Sequence, residues 1–157
     1  GTWVYEAMQE RLVDAQSFVQ IGIRSAGERA AREYVSDQGG LIYTARNLRG
    51  LESESQLAGV IASVRERLTA KGLPVYLSLD IDCLDPAFAP GTGTPEVGGM
   101  STNQVFTLLE MTADINWVGM DCVEVAPAYD HAELTSNAAA QIVWTYLSGQ
   151  VNKLTQV

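Results

Sequence analysis

The sequence has few of the residues that build thiolate or histidine metal sites and disulfide-stabilised folds. Its 157 residues include two cysteines and a single histidine, His131. A zinc finger needs four Cys or His ligands, more than the three in this chain, and with His131 as the single histidine we expect no Cys/His catalytic pair. The two cysteines lie among apolar neighbours, which indicates reduced thiols and not a disulfide framework.

The sequence also lacks long apolar runs and a signal-type start. No apolar stretch approaches the ~18 residues that a membrane-spanning helix requires. The first residues show no basic, apolar and small-residue succession of the kind that marks a secretory signal. We therefore expect no membrane partner and a cytoplasmic location.

Positive charge is scarce in this chain. Its 10 Lys and Arg residues face 19 Asp and Glu residues, which gives a net charge of −9. Nucleic-acid binding requires a basic surface for the phosphate groups, so we expect no nucleic-acid partner. The acidic balance is compatible with a small cationic ligand.

Apolar periodicity predicts one α/β unit. The predicted strands are short, largely apolar runs at residues 17–23, 41–43, 75–80 and 117–125. The last run is apolar enough for a strand buried on both faces. Amphipathic helices are predicted at residues 52–70, 101–112 and 135–149. Strands that alternate with helices predict a parallel sheet with helices on both faces.

Two aspartates end the third predicted strand at a spacing of two. On a strand, Asp80 and Asp82 would point to the same face and Ile81 to the other. Converging carboxylates repel each other unless a cation or a proton lies between them, and their oxygens suit hard divalent metals. The Pro- and Gly-rich loop at residues 85–95 follows, at the strand end where α/β proteins bind ligands. The pair predicts a metal site, with a structural or capping role as the alternative.

Two further carboxylates accompany the fourth predicted strand. Asp121 lies within this strand and Glu124 near its end, where an unpaired buried charge is costly. For Asp121, a structural ion pair with a residue such as Arg24 and a functional role are equally open. Glu124 lies at the same sheet edge as Asp80 and Asp82, which favours a functional role. A carboxylate there can pair with a guanidinium.

A resemblance to the ureohydrolase (arginase/agmatinase) family rests on three strings. Residues 78–99, SLDIDCLDPAFAPGTGTPEVGG, closely resemble a metal-binding signature of that family. Residues 119–130, GMDCVEVAPAYD, and residues 20–24, QIGIR, resemble agmatinases most closely. The resemblance extends over essentially the whole of residues 1–147. It implies an arginase-like three-layer α/β/α fold.

The resemblance also implies roles for individual residues. Asp80 and Asp82 match two carboxylate ligands of a binuclear manganese (Mn²⁺) centre. Thr94 matches a threonine that lines the substrate cleft. Glu124 matches the glutamate that holds the substrate guanidinium, so it is the expected catalytic and substrate-binding residue. Ser25 stands where arginases have an aspartate that engages the substrate α-amino group, which favours a substrate without that group.

These matches imply a manganese-dependent hydrolase of guanidino compounds. Hydrolysis of agmatine to putrescine and urea, a step of polyamine biosynthesis, is the favoured reaction. Guanidinobutyrase or guanidinopropionase activity is the alternative within the family. The implied partners are a small cationic guanidino substrate and further copies of the protein in a homo-oligomer, a trimer or hexamer.

Part of the family pattern is absent from the sequence. In the family the other manganese ligands come from G-G-D-H and D-A-H-x-D motifs, and neither string occurs here. An active-site histidine of the family would fall one residue before Gly1, and His131 matches no metal or catalytic histidine. We therefore expect residues 1–157 to be the C-terminal part of a single ureohydrolase domain that requires its N-terminal half. The alternative from another class is a catalytically incomplete half-domain that only binds a partner chain.

Overall fold

The structure, a computed structural model, describes residues 2–155. Its strands are β1 (Val19–Ile23), β2 (Leu41–Thr44), β3 (Val75–Asp80) and β4 (Trp117–Val123). Its helices are α1 (Trp3–Gln9), α2 (Arg29–Arg32), α3 (Tyr34–Asp37), α4 (Ala45–Leu48), α5 (Glu54–Thr69), α6 (Thr102–Met111) and α7 (Leu134–Thr155). Short 3-10 helices lie at Ala15–Ser17, Ile81–Cys83 and Pro127–Tyr129. This order of elements confirms the predicted α/β class.

The strands form two parallel pairs, β1 with β2 and β3 with β4. In the part of the chain that the structure describes, no backbone ladder joins the two pairs. Within the second pair, Ser78 lies opposite Asp121 and Asp80 lies opposite Val123. The parallel register therefore brings the carboxyl ends of β3 and β4, with their acidic residues, to one edge.

The two helices that flank β3 begin at serine caps. Ser53 accepts a hydrogen bond from the Gln56 amide at the start of α5, and Ser101 accepts one from the Gln104 amide at the start of α6. In both cases the glutamine side chain bonds back to the backbone of the serine, so each helix starts with a capping box. The predicted start of α6 at Ser101 is thus confirmed.

The last helix is longer than predicted. α7 continues to Thr155, past Gly149, where we expected it to end. A Cβ on Gly149 would lie 3.0 Å from the Cβ of Ala113. This glycine therefore lets α7 approach the segment after α6 and does not terminate the helix.

The core lies between β3, α5, α6 and α7. Its fully buried members include Leu57, Ile81 and Ile142, each 0% exposed. Ile81 directly follows the last residue of β3, so burial of this side chain anchors the point where the strand turns into the following loop. Removing one such side chain from a core typically costs about 2–5 kcal/mol.

The prediction that β4 is buried on both faces is wrong for this structure. Val118 and Val123 are 61% and 39% exposed, and Tyr76 of the neighbouring strand is 57% exposed. Leu79, by contrast, is 7% exposed and belongs to the core cluster. For Tyr76 and Val123 the reason is that their face borders an open cleft, whereas the helices bury the face of Leu79. Val118 lies at the register shift near the start of β4, outside the cleft lining. No helix within residues 2–155 combines the length and apolar character needed to cross a bilayer.

Candidate active site

The end of β3 differs from the geometry expected for a continuous strand. The strand ends at Asp80, and Asp82 lies in the 3-10 helix that follows. The prediction that Asp80 and Asp82 share a strand face rested on strand alternation, and this alternation ends before Asp82. The turn still joins the two residues, because the Asp82 amide donates to Asp80 Oδ1 at 2.9 Å.

The Asp82 carboxylate is held by two threonines of the loop. Thr92 donates its hydroxyl to Asp82 Oδ1, and Thr94 donates its hydroxyl to Asp82 Oδ2 at 2.9 Å. Thr94 thus contacts the predicted metal ligand. Thr92, which is 4% exposed, was missed by the sequence reasoning. Its position two residues before Thr94 in the same Gly-rich loop was the available signal.

Asp80 is exposed as a residue, yet partial desolvation of its carboxylate and the acidic groups beside it disfavour its negative charge. Desolvation raises the pKa of Asp80, and the charges of Asp82 and Glu124 raise it further, while the hydrogen bond from the Asp82 amide opposes them. Within residues 2–155, no Lys or Arg forms a salt bridge with Asp80. A bound cation would favour the ionised carboxylate and relieve this cost.

Glu124 occupies an unusual backbone conformation. It follows β4 with a φ of +69°, a left-handed value that costs a non-glycine residue about 1–3 kcal/mol. Its side chain is exposed, so the burial cost inferred from the sequence does not apply to it. A Cβ on Gly93 would lie 4.0 Å from Glu124 Oε2, which places this carboxylate beside the loop that carries Thr92 and Thr94.

Asp121 pairs with a serine and not with an arginine. Ser78 Oγ donates to Asp121 Oδ1 at 2.8 Å across the β3–β4 ladder. Arg24, the suggested partner, donates to backbone carbonyls of the loop after β3. Arg24 is therefore not the partner of Asp121, whose structural pairing within residues 2–155 is the hydrogen bond with Ser78. A functional role for Asp121 stays a prediction.

The acidic residues border an open cleft of about 490 Å³ on the exposed face of β3 and β4. Three of its lining residues are carboxylates and two are aromatic, in the set Trp3, Tyr76, Ser78, Asp80, Asp121, Val123 and Glu124. Neither Lys nor Arg belongs to this lining. His131 is exposed and lies outside the lining set. A cleft of this composition suits a cationic ligand with an apolar spacer.

Gly91 connects the loop after β3 to the segment after β4. Its N–H donates to Thr135 Oγ1 at 2.7 Å, and its carbonyl accepts from the Ala126 amide at 2.8 Å. A Cβ at this position would lie 2.6 Å from the Asp130 Cα. Desolvation acts to raise the pKa of Asp130, but hydrogen bonds from Ser136 and Thr135 outweigh it and lower that pKa to about 2. The two acidic stretches therefore meet through a tight, hydrogen-bonded contact.

The donor chemistry at the end of β3 fits a hard divalent metal, but the number of donors is small. Asp80 and Asp82 offer carboxylate oxygens, the ligand type that Mg²⁺, Ca²⁺ and Mn²⁺ prefer. In residues 2–155, no three His, Cys, Asp or Glu side chains are grouped so that they could hold an ion. A pair of metal ions would therefore need ligands beyond those that this part of the chain brings together.

The sequence and the structure are similar to those of known hydrolases. A family model described as "Arginase family" matches residues 1–148. An agmatinase of Klebsiella pneumoniae subsp. pneumoniae is 44% identical over 153 residues, which cover 98% of this chain and 46% of that protein.

Two solved structures extend the comparison to three dimensions. A hypothetical agmatinase from Burkholderia thailandensis is 35% identical with a TM-score of 0.84, over 99% of this chain and 46% of that one. Proclavaminate amidino hydrolase from Streptomyces clavuligerus is 38% identical with a TM-score of 0.78, over 94% of this chain and 46% of that one. The chain thus spans just under half the length of each of these proteins.

Proposed function

The chain belongs to the arginase family, and from that premise we propose that it forms part of a ureohydrolase that releases urea from agmatine and leaves putrescine. The carboxylate-lined cleft on the exposed face of β3 and β4 is the observation that carries this proposal. Agmatine has a guanidinium at one end, an ammonium at the other and an apolar spacer between them. Each of its parts finds a matching surface in a cleft lined by Asp80, Asp121, Glu124 and two aromatic rings.

Glu124 is the residue proposed to hold the substrate. A carboxylate can accept two parallel hydrogen bonds from the guanidinium fork. The left-handed backbone of Glu124 turns the chain away from the extended course of β4. Strained backbone of this kind is commonly retained at functional sites. Glu124 would fix the guanidinium carbon above the end of β3.

Asp80 and Asp82 are the proposed manganese ligands of this chain. Bound Mn²⁺ supplies Lewis acidity and lowers the pKa of water, which provides a nucleophile near neutral pH. The raised pKa of Asp80 agrees with a carboxylate that benefits from a nearby cation. Thr94, proposed from the family match to line the substrate cleft, is better assigned here to orienting Asp82 together with Thr92, because both hydroxyls donate to that carboxylate.

The charge of the cleft bears on which guanidino compound is hydrolysed. Guanidinobutyrate and guanidinopropionate carry a carboxylate in place of the ammonium of agmatine. Like charges placed together disfavour binding, so a cleft with three carboxylates and neither Lys nor Arg in its lining favours agmatine over these acids. The similarity to an amidino hydrolase named for proclavaminate makes the anionic compounds the necessary comparison in the assay.

The remainder of the site is proposed to come from another polypeptide segment. The chain spans 46% of the length of the agmatinase that it matches. We place residues 1–157 in the C-terminal part of one ureohydrolase domain, whose N-terminal half is the first partner of this chain. The complete protein is proposed to be cytoplasmic and to form a homo-oligomer, a trimer or hexamer. The small number of ligands in residues 2–155 supports a second candidate, a half-domain that binds a partner without catalysis.

Reconstitution tests the proposal. The chain is purified alone and together with a polypeptide that corresponds to the other half of the agmatinase relatives, and both samples receive Mn²⁺. We expect urea from agmatine only in the combined sample, with little from guanidinobutyrate. A combined sample that assembles and binds manganese but releases no urea would favour the non-catalytic half-domain. Urea release by the chain alone would show that the chain completes its own site.

Substitution of the proposed ligands tests the metal assignment. Asp80→Asn and Asp82→Asn should each reduce the bound manganese, measured by elemental analysis, and remove most of the urea release. Asp37→Asn, at an exposed position of helix α3, is the matched control and should change neither quantity. Full manganese content in both ligand variants would refute the assignment.

A further inference from the structure

Arg24, which directly follows β1, contacts the backbone of the loop after β3 at both ends. Its Nη1 donates to the Asp82 carbonyl at 2.8 Å, and its Nη2 donates to the Leu84 carbonyl at 3.1 Å. Its Nε donates to the carbonyl of Glu96 at 2.9 Å. These contacts span 58 to 72 positions of sequence. Within residues 2–155 Arg24 forms no salt bridge, so its donors serve backbone carbonyls.

A bulge in β1 brings Arg24 to this loop. The β1–β2 register shifts between Ile21 and Ile23, and Gly22 between them has a φ of +91°. A Cβ on Gly22 would lie 3.0 Å from Met100 Sδ and 3.1 Å from Cys83 Cβ. The strand backbone therefore lies directly against the loop, and a larger residue would separate the two.

The segment that Arg24 encloses contains the groups that hold the Asp82 carboxylate. Arg24 contacts the carbonyls of Asp82 and Glu96, and Thr92 and Thr94 lie between these points in the sequence. Both threonine hydroxyls donate back to the Asp82 carboxylate. The position of that carboxylate thus depends on a loop whose two ends are tied to one side chain.

From this geometry we infer that Arg24 is a positioning residue that fixes the loop at residues 82–96 and thereby presents the Asp82 carboxylate. It acts through backbone carbonyls; within residues 2–155 it forms no hydrogen bond with Glu124 and does not belong to the cleft lining. The effect on the loop stands independently of the enzyme activity. The effect on metal affinity rests on the function proposed above.

Arg67 provides a matched control. Like Arg24, it is half-buried and donates to the backbone carbonyls of two separate segments, at Gln16 and Gly39. These carbonyls belong to the segment before β1 and the turn before β2. Loss of Arg67 therefore removes the same kind of interaction without touching the loop after β3.

Hydrogen–deuterium exchange of the 157-residue chain tests the effect on the loop. The amides of Gly98, Gly99 and Met100, which follow this loop, donate to Asp85 or Cys83 within it and therefore report its order. Arg24→Ala should speed exchange there by about tenfold or more.

The control variants sharpen this comparison. In Arg24→Lys the side chain keeps its charge but has a single nitrogen donor, so the same amides should exchange at an intermediate rate. Arg67→Ala should lower the melting temperature and leave exchange in the loop unchanged. If Arg24→Ala fails to fold, Arg24→Lys decides the question. Exchange at the wild-type rate in the folded Arg24 variants would overturn the proposal.

Manganese titration, followed by electron paramagnetic resonance in the reconstituted protein, provides the second measurement. Arg24→Ala should weaken Mn²⁺ binding by about 10- to 100-fold, the usual effect of removing a residue that orients a ligand. Arg67→Ala should not change it. An unchanged Mn²⁺ affinity in Arg24→Ala would overturn the proposal. If the wild-type protein itself binds no Mn²⁺, the proposed function fails, and the exchange comparison alone decides the role of Arg24.

Discussion

Replacing Gly91 with alanine offers a direct test of how the two acidic stretches are joined. The new Cβ would lie 2.6 Å from both the Cα and the Cβ of Asp130. Since real Cβ contacts are longer than this, the loop and the segment before α7 would have to separate. That movement would strain the hydrogen bonds that Gly91 forms with Thr135 and Ala126.

The expected cost can be estimated from packing energetics. Forcing an extra methyl group into a tight contact typically costs about 1–3 kcal/mol. Replacement of glycine also reduces the entropy of the unfolded chain, which returns about 0.4–1 kcal/mol. With the middle of each range, the net loss is about 1.3 kcal/mol, which corresponds to a fall in melting temperature of about 3–5 °C for a chain of this size.

Gly93, in the same loop, is the matched control. A Cβ there would meet only Glu124 Oε2, at the ordinary contact distance of 4.0 Å. We therefore expect Gly93→Ala to melt at or slightly above the wild-type temperature, and Gly91→Ala to melt several degrees below it, in thermal unfolding followed by circular dichroism. Equal melting temperatures for the two variants would refute the described contact between Gly91 and Asp130.

Two further predictions concern charge. Glu124→Gln should lower kcat/KM for agmatine about ten- to hundredfold, because it removes a charge-assisted hydrogen bond to the guanidinium. The manganese content should stay unchanged, and Glu110→Gln on α6 is the control. Loss of manganese in Glu124→Gln would show that Glu124 is a metal ligand instead. The pKa of Asp130 is lowered to about 2, so its stabilising effect is present above the ordinary pKa of 3.8 and is lost as the pH falls towards 2. Asp130→Asn, which keeps a capping acceptor, should therefore melt below wild type at pH 6 and approach it at pH 2; a difference that persists at pH 2 would contradict the charge effect.

Local sequence patterns were sufficient for most of the fold. An amphipathic helix was predicted at residues 52–70, and α5 buries five apolar residues along one side, namely Leu57, Val60, Ile61, Val64 and Leu68. The bounds predicted for β3 agree with the structure. Both results depend on short-range periodicity, because a helix or strand with one apolar side has one favourable way to face a core.

The same patterns could not predict where strand geometry stops. Asp80 and Asp82 were placed on one strand face by alternation, but β3 ends at Asp80 and the chain turns. The left-handed backbone of Glu124 also carries no local signature, since non-glycine residues rarely adopt it and the surrounding structure must enforce it.

By itself, the sequence determined the class of the fold, the order of its elements and the identity of the acidic residues, since these follow from neighbouring side chains and from motifs of short span. Tertiary structure alone decided their partners: Ser78 for Asp121, Thr92 and Thr94 for Asp82, and loop carbonyls for Arg24. Several of these contacts join residues more than 40 positions apart. Their formation depends on strand register and on close approach of backbone at Gly22 and Gly91, which no local pattern records.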